Sequence, residues 1–211
     1  MYYTKELHIA QTSIKSYYFH MENKKDLTKE LLADCFHELM LTTSFERITI
    51  KMITDEAGLI RPTFYKHFKD KYEVLEWIFE QDVLSSVNLL LANGMELDAI
   101  VMFCRCLDKD REFYRRACQM EPDPNSFESI LTRYIYNTFL QLTERFSVRA
   151  DKQYKFLTKE VLATYYTYGL VNTIRDWLLS DADVSAEEIA ASYKYLLSHS
   201  VLDLIREQLP H

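Results

Sequence analysis

Three glycines and four prolines in 211 residues leave this chain almost without the residues that make tight turns. Average usage would supply roughly 15 and 10. A many-stranded sandwich or barrel needs turn signals about every 8–12 residues, so those architectures are excluded and an all-α fold is predicted. Hydrophobic residues make up 48% and charged residues 27%. That balance argues against disorder or a fibrous repeat, and the length is enough to bury a substantial core. The longest uncharged run, from Val161 to Ile174, falls short of the roughly 18–20 apolar residues that span a bilayer. Residues 1–21 lack a continuous apolar signal core, so a cytoplasmic protein with no membrane contact is expected. In that compartment Cys35, Cys104, Cys106 and Cys118 stay reduced. Cys104 and Cys106, two residues apart, project from different sides of a helix, which favours buried thiols over a metal clip. No metal and no cofactor are expected.

The few breakers punctuate long helices. Leu27, Leu31, Leu32, Cys35, Phe36 and Leu39 form a stripe that predicts a first helix from Lys24 to about Leu41, with Asn23 as N-cap. Thr49 caps a short second helix, Ile50 to Ala57, which Gly58 ends by supplying a left-handed conformation. Pro62 opens a third, Pro62 to Phe68. Asp70 and Glu73 form a capping box that starts a long fourth helix, Lys71 to about Asn93. Further helices are predicted at Glu96 to Leu107, Arg111 to Gln119, Ser126 to Phe146, Asp151 to Leu179 and Ala186 to Leu209, the last begun by a Ser185–Glu188 capping box. Tyr3, Leu7, Ala10, Ile14, Tyr17 and Met21, spaced 4-3-4-3-4, read either as an extra amphipathic helix or as a frayed tail. This gives an extension over 1–21, a three-helix domain over 22–70 and a larger helical domain over 71–211, with the fourth helix as the link.

Net charge is −7, which speaks against nucleic-acid binding by the surface as a whole. Between Ala57 and Lys71 the sign inverts, with Arg61, Lys66, Lys69 and Lys71 opposed only by Asp70. Two short helices separated by a glycine turn, the second carrying this basic island, have the helix-turn-helix arrangement. Ile50 and Ile53 pack on the first helix, Ala57 keeps the crossing close, and Leu59, Phe64 and Phe68 anchor the second helix. Arg61, Pro62, Thr63, Tyr65, Lys66 and His67 are left on or near the exposed side. These are groups a major groove can use: Arg for guanine edges, Thr and Pro for the thymine methyl, and Tyr, Lys and His for phosphate oxygens.

The stretch TIKMITDEAGLIRPTFYKHFKDKYEVL resembles the DNA-binding signature of the tetracycline-repressor (TetR/AcrR) family. The resemblance is carried by the ordered set Thr49, Ala57, Gly58, Thr63, Phe64, Tyr65, His67, Phe68, Lys71 and Leu75. The segment KDKYEVLEWIFEQD is similar to a branch that includes regulators of dihydroxyacetone kinase operons. The resemblance implies a homodimer whose recognition helices enter successive major grooves of palindromic operator DNA, and a helical C-terminal domain for dimerisation that often holds an effector pocket. It assigns base contacts to Arg61, Pro62 and Thr63, and backbone or groove-edge contacts to Tyr65, Lys66 and His67. Phosphate contacts fall to Thr49, Lys51 and Lys71, where the start of a long helix adds attraction. Ile60 stands where the family usually has a polar capping residue. Either the helix starts at Pro62 without a cap, or Ile60 makes an apolar contact.

In the C-terminal part, Phe103, Tyr114, Tyr136, Phe139, Tyr165 and Tyr166 either line an apolar pocket with hydroxyl handles for a small-molecule effector or pack a core. Gly169, within a long helical span, implies a close helix approach or a kink, both compatible with a dimer seam. Tyr168, Ile174 and Leu178 on one helix, and Tyr193, Leu197, Val201 and Leu204 on the next, are the predicted dimer interface, pairing with a twin as a four-helix bundle. No catalytic residues are identified: the six histidines lack i, i+4 partners, and no nucleophile motif or phosphate loop occurs. The reading is a homodimeric DNA-binding transcriptional repressor released by an effector. Its alternatives are an activator working with a protein coactivator, and a helical interaction module that no longer reads DNA.

Overall fold

The computed structural model describes residues 27–146 and 155–200, and among them helices are the only regular structure. They divide into two compact units, one of residues 27–43 with 47–75, the other of 44–46 with the described residues from Glu76 onward.

In the first unit α1 covers residues 27–42. Its inward row is Leu32, Phe36 and Met40, an i, i+4 series joined by Ala33 and Cys35, whereas Leu27 and Leu31 are exposed. The expected stripe is therefore rotated toward Met40. Asn23, Lys24 and the 1–21 stripe lie outside the described residues. After a 3₁₀ turn at Phe45–Arg47 come α2 (Ile50–Glu56) and α3 (Arg61–Phe64). The third helix is a single turn that begins one residue before Pro62 and gives way to turns well short of Phe68.

Helix α4 runs Lys71–Phe79, passes through a π-helical turn at Glu80–Leu84 and continues as Ser85–Ala92. The sequence predicts it unbroken. The wider turn lets Ile78 and Phe79 before it, and Val83, Leu84 and Val87 within and after it, all be buried. Gly94 ends the helix with φ +73°. The second unit continues with α5 (Glu96–Lys109), α6 (Arg111–Ala117), α7 (Phe127–Arg145), α8 (Lys159–Leu179) and α9 (Ala186–Ser198). Side-chain hydroxyls of Ser126, Thr158 and Ser185 accept from Ser129, Val161 and Glu188 main-chain N–H groups, fixing the starts of α7, α8 and α9. The Thr158 cap sets the start of α8 at Lys159, in place of Asp151. Helix α9 ends at Ser198, where His199 turns to extended backbone at φ −126° and ψ 136°, short of the predicted end at Leu209, which lies outside the described residues.

The most extensive helix pairing is α7 on α8, while α5 packs on both α9 and the later part of α4. Phe79 sits among Phe103, Tyr114, Phe127 and Tyr134, each edge-on at 5.4–6.3 Å. The Arg111 guanidinium lies 4.6 Å from the Trp177 ring and donates to the Trp177 carbonyl at 2.7 Å. Among the described residues no helix is long and apolar enough to cross a membrane, and no group of His, Cys, Asp and Glu side chains is placed to hold a metal ion.

Candidate nucleic-acid interface

Local chemistry shapes the first unit from α2 onward. Thr49 is extended at the N-cap, and its hydroxyl oxygen accepts from the Met52 N–H at 3.2 Å. At the other end the Leu59 N–H reaches back to the Thr54 carbonyl (2.8 Å) and the Gly58 N–H to that of Asp55 (3.2 Å), a paired closure of the last turn. It requires Gly58 at φ +63°, where a side chain would be strained although space for one is open. Ile53 and Thr54 face inward. The Thr54 hydroxyl is satisfied by the Ile50 and Lys51 carbonyls.

The turn delivers the chain to α3, which is anchored by Phe64 and Phe68, both buried with ring centroids 5.8 Å apart. Lys29 of α1 lies 5.1 Å over the Phe68 ring. With the two phenylalanines turned in, Ile60, Arg61, Pro62, Tyr65 and Lys66 are exposed, and Thr63 and His67 are half-buried. Arg61 Nη2 approaches the Tyr65 hydroxyl at 3.5 Å, one turn on. Neither Arg61 nor Lys66 makes an ion pair among the described residues, so both cations are available to an anionic partner. Helix α3 starts at Arg61 with no side-chain cap. The Thr63 N–H is taken by the Ile60 carbonyl at 2.8 Å and Pro62 has no N–H, so the missing cap leaves little unsatisfied.

The three expected phosphate contacts have differing surroundings. Thr49 is exposed, its oxygen occupied as a cap. Lys51 is exposed and paired with Asp55 one turn away. Lys71 is half-buried and donates from Nζ to the Ile48 carbonyl at 3.0 Å. The Asp70 carboxylate accepts from the Glu73 N–H at 3.0 Å, while the Glu73 carboxylate accepts from the Lys69 N–H. This capping box closes one residue early.

Among the described residues, the second unit holds at least two concavities. One, about 180 Å³, is almost wholly apolar and is lined by Val87, Ile100, Phe103, Phe139, Leu142 and Leu170 among others. The other is a groove of about 630 Å³ between the segment after α6 and helices α7 and α8, with Tyr136, Arg133, Glu128 and Tyr168 on its walls. The six predicted effector residues are thus dispersed. Phe103 and Phe139 share the apolar cavity, and Tyr136 faces the groove. Tyr114 is fully buried in the aromatic core, and its hydroxyl has no hydrogen-bond partner among the described residues. Burial pushes that phenol well above its ordinary pKa, with Asp82 and Asp110 adding to the shift. Tyr166 is half-buried against Phe139 at 5.7 Å, and Tyr165 is 73% exposed. The aliphatic cavity walls escaped sequence reasoning, because Val87, Ile100, Leu142 and Leu170 carry the same signal as ordinary core residues.

Of the predicted dimer residues, Tyr168 is exposed on α8. Ile174 and Leu178 are fully buried in the chain's own core, and Tyr193 is buried with its hydroxyl donating to the Tyr166 carbonyl at 3.2 Å. Leu197 borders the apolar cavity and is partly exposed. Val201 and Leu204 lie outside the described residues. Gly169 sits in an unbroken, exposed stretch of α8, and a Cβ there would meet nothing within 4 Å. Among the described residues, no helix makes the close approach expected at this position.

A glycine turn between two short helices, the second anchored by two phenylalanines and tipped with unpaired cations, defines a helix-turn-helix protein. Residues 37–78 match the family described as bacterial regulatory proteins, tetR family, and residues 97–199 match the transcriptional regulator C-terminal region of that family. The chain belongs to the tetR family of transcriptional regulators. It is 26% identical over 169 residues to the HTH-type dhaKLM operon transcriptional activator DhaS of Lactococcus lactis subsp. lactis (strain IL1403), covering 78% of this chain and 86% of that protein. Among solved structures the fold is similar to the dihydroxyacetone kinase operon activator DhaS (TM-score 0.61, 22% identity, 84% of this chain and 97% of that one). It is also similar to Thermus thermophilus FadR, a TetR family transcriptional repressor in complex with lauroyl-CoA (TM-score 0.57, 19% identity, 82% and 94%).

Proposed function

We propose that this regulator is a homodimer that reads a palindromic operator with α3, and that an effector in its second unit releases it from repression. Residues 22–70 serve DNA recognition and 71–211 serve dimerisation and control. The observation that carries the reading is the tip of α3, where Arg61, Pro62, Tyr65 and Lys66 are exposed while Phe64 and Phe68 hold the backbone from behind. Arg61, Pro62 and Thr63 read base edges. Tyr65, Lys66 and His67 meet the DNA backbone or groove edge, and Thr49, Lys51 and Lys71 support phosphate. The exposed face of α8 around Tyr165, Tyr168 and Gly169 supplies the dimer seam. The 180 Å³ apolar cavity suits a small apolar effector, since its walls give almost no polar surface to satisfy a charged one. Release requires only that the effector prefer a dimer whose two α3 helices depart from the roughly 34–36 Å spacing of one B-DNA turn.

Fluorescence anisotropy with DNA from upstream of the chain's own gene tests this. Binding is expected to be sequence-dependent and to fall steeply with salt. Arg61→Ala and Thr63→Ala are each expected to lose about 1–3 kcal/mol of discrimination against random DNA. Binding indifferent to both salt and sequence overturns the reading. A second reading, activation with a protein coactivator, is favoured by the similarity to a relative named as an operon activator. A reporter behind the bound promoter separates the modes, since deletion of the regulator raises expression under repression and lowers it under activation.

A further inference from the structure

The head of α3 is occupied by an exposed aliphatic residue. Ile60 is the N-cap of that helix, with extended backbone at φ −105° and ψ 149°, and it makes no side-chain cap. Ser, Thr, Asp or Asn is the usual choice there, because the side-chain oxygen accepts a main-chain N–H of the first turn. The first turn of α3 has little for such an oxygen to accept: Pro62 lacks an N–H, and the Ile60 carbonyl itself takes the Thr63 N–H. The position is therefore released from capping, yet it is filled by a large aliphatic side chain. That side chain is 68% exposed, the highest exposure of any large hydrophobic residue described in the first unit. An isolated exposed aliphatic residue is ordinary on a protein surface. This one adjoins the exposed Arg61 and Pro62, on the tip whose unpaired cations draw it to a polyanion.

Within a major groove, the one apolar feature on a base edge is the thymine 5-methyl group. An aliphatic side chain arriving beside a cationic neighbour has that methyl as its natural contact, and a guanine or cytosine edge in its place leaves polar groups facing hydrocarbon without a partner. We infer that Ile60 is a specificity-determining residue of the operator contact, selecting a thymine by its 5-methyl group in each half-site. The inference rests on the proposed reading of DNA by α3.

The test begins with duplexes that the full-length protein enriches from a random-sequence pool. Each thymine of the enriched half-site is then replaced by uracil, which keeps the base pairing and removes only the methyl. At one position per half-site the native protein is expected to bind the uracil duplex about fourfold more weakly, the factor for one buried methyl-sized group. Ile60→Ser is expected to bind the thymine and uracil forms equally. Ile60→Val, which keeps a branched aliphatic tip, is expected to retain most of the difference. Two results overturn the inference: no thymine whose methyl matters to the native protein, or methyl sensitivities that Ile60→Ser leaves intact at every thymine, which would assign all of those contacts to Pro62 or Thr63. Either leaves the DNA reading standing. A protein that enriches no duplex sinks that reading and this inference with it.

Discussion

The side-chain ammonium of Lys71, in the first turn of α4, donates to the main-chain carbonyl of Ile48 across 3.0 Å, so it braces the segment that leads into the Thr49 cap. A lysine expected from the motif to touch phosphate is thus also a strut within the helix-turn-helix unit. A hydrogen bond from a charged donor contributes about 1.5–3 kcal/mol, and half-burial places this one toward the lower end. Lys71→Ala is expected to lower the melting midpoint by circular dichroism, at about 2–4 °C per kcal/mol lost. It should also weaken operator and random DNA alike. Weakened binding with an unchanged midpoint would assign Lys71 to phosphate alone.

Gly58 offers a cleaner test of backbone geometry. Its φ of +63° closes α2, while a Cβ at that position would meet nothing within 4 Å. The whole penalty of Gly58→Ala is therefore conformational, about 1–2 kcal/mol, with no steric share. Gly58→Asn should cost less, since asparagine tolerates the left-handed region. Urea midpoints of the three proteins are expected in the order Gly, Asn, Ala.

The features legible in the sequence are those governed by neighbours along the chain. Thr49, Gly58 and Ser185 mark helix ends because capping and left-handed closure need only residues within five positions, and the structure puts a cap or a positive φ at each. Features set by distant residues were not legible. The π-turn at Glu80–Leu84 leaves no local signature, and the orientation of α1, inward at Met40 and outward at Leu27 and Leu31, could not be read from a stripe containing apolar residues on several sides. Tyr114 and Phe103 look alike in sequence and both pack on Phe79, yet only Phe103 also borders a cavity. The α3 tip was readable because Phe64 and Phe68, four residues apart, declare which side faces in, and the polar residues between them then face out.

Alkaline pH should unfold the second unit through its buried acids. Burial pushes the Cys104 and Cys118 thiols from the usual 9 up to about 12, and raises the Tyr114 phenol from 10 in the same direction. In each case the folded-state pKa is the higher, so the unfolded chain gives up its proton first. The stability these groups contribute is complete below about pH 9 and is lost as pH climbs through the range from 9 to 12. Unfolding free energies by denaturant titration at pH 8, 9, 10 and 11 are expected to fall progressively. Tyr114→Phe removes a buried hydroxyl that has no partner, so it should be neutral or stabilising at pH 8 and should flatten the decline above pH 10. A destabilised Tyr114→Phe with an unaltered alkaline slope would contradict this account.

The apolar cavity allows control to be separated from DNA reading. Ile100 lines it and is half-buried, so a larger side chain can enter the 180 Å³ space from the wall, where it meets Phe103 and Tyr134 of the aromatic cluster around Phe79. Ile100→Trp is expected to cost no more than about 1–3 kcal/mol, the usual range for overpacking, and less to the extent that the void takes up the ring. Under the proposed mechanism the effector loses its place while α3 keeps its own, so this variant should bind operator with native affinity and salt dependence yet fail to release it. Medium-chain alkanols and simple uncharged aromatics, titrated against the bound complex, give the readout: the native protein should dissociate with at least one of them and Ile100→Trp with none. Equal release from both proteins would move the control site out of this cavity and leave the DNA-binding assignment untouched.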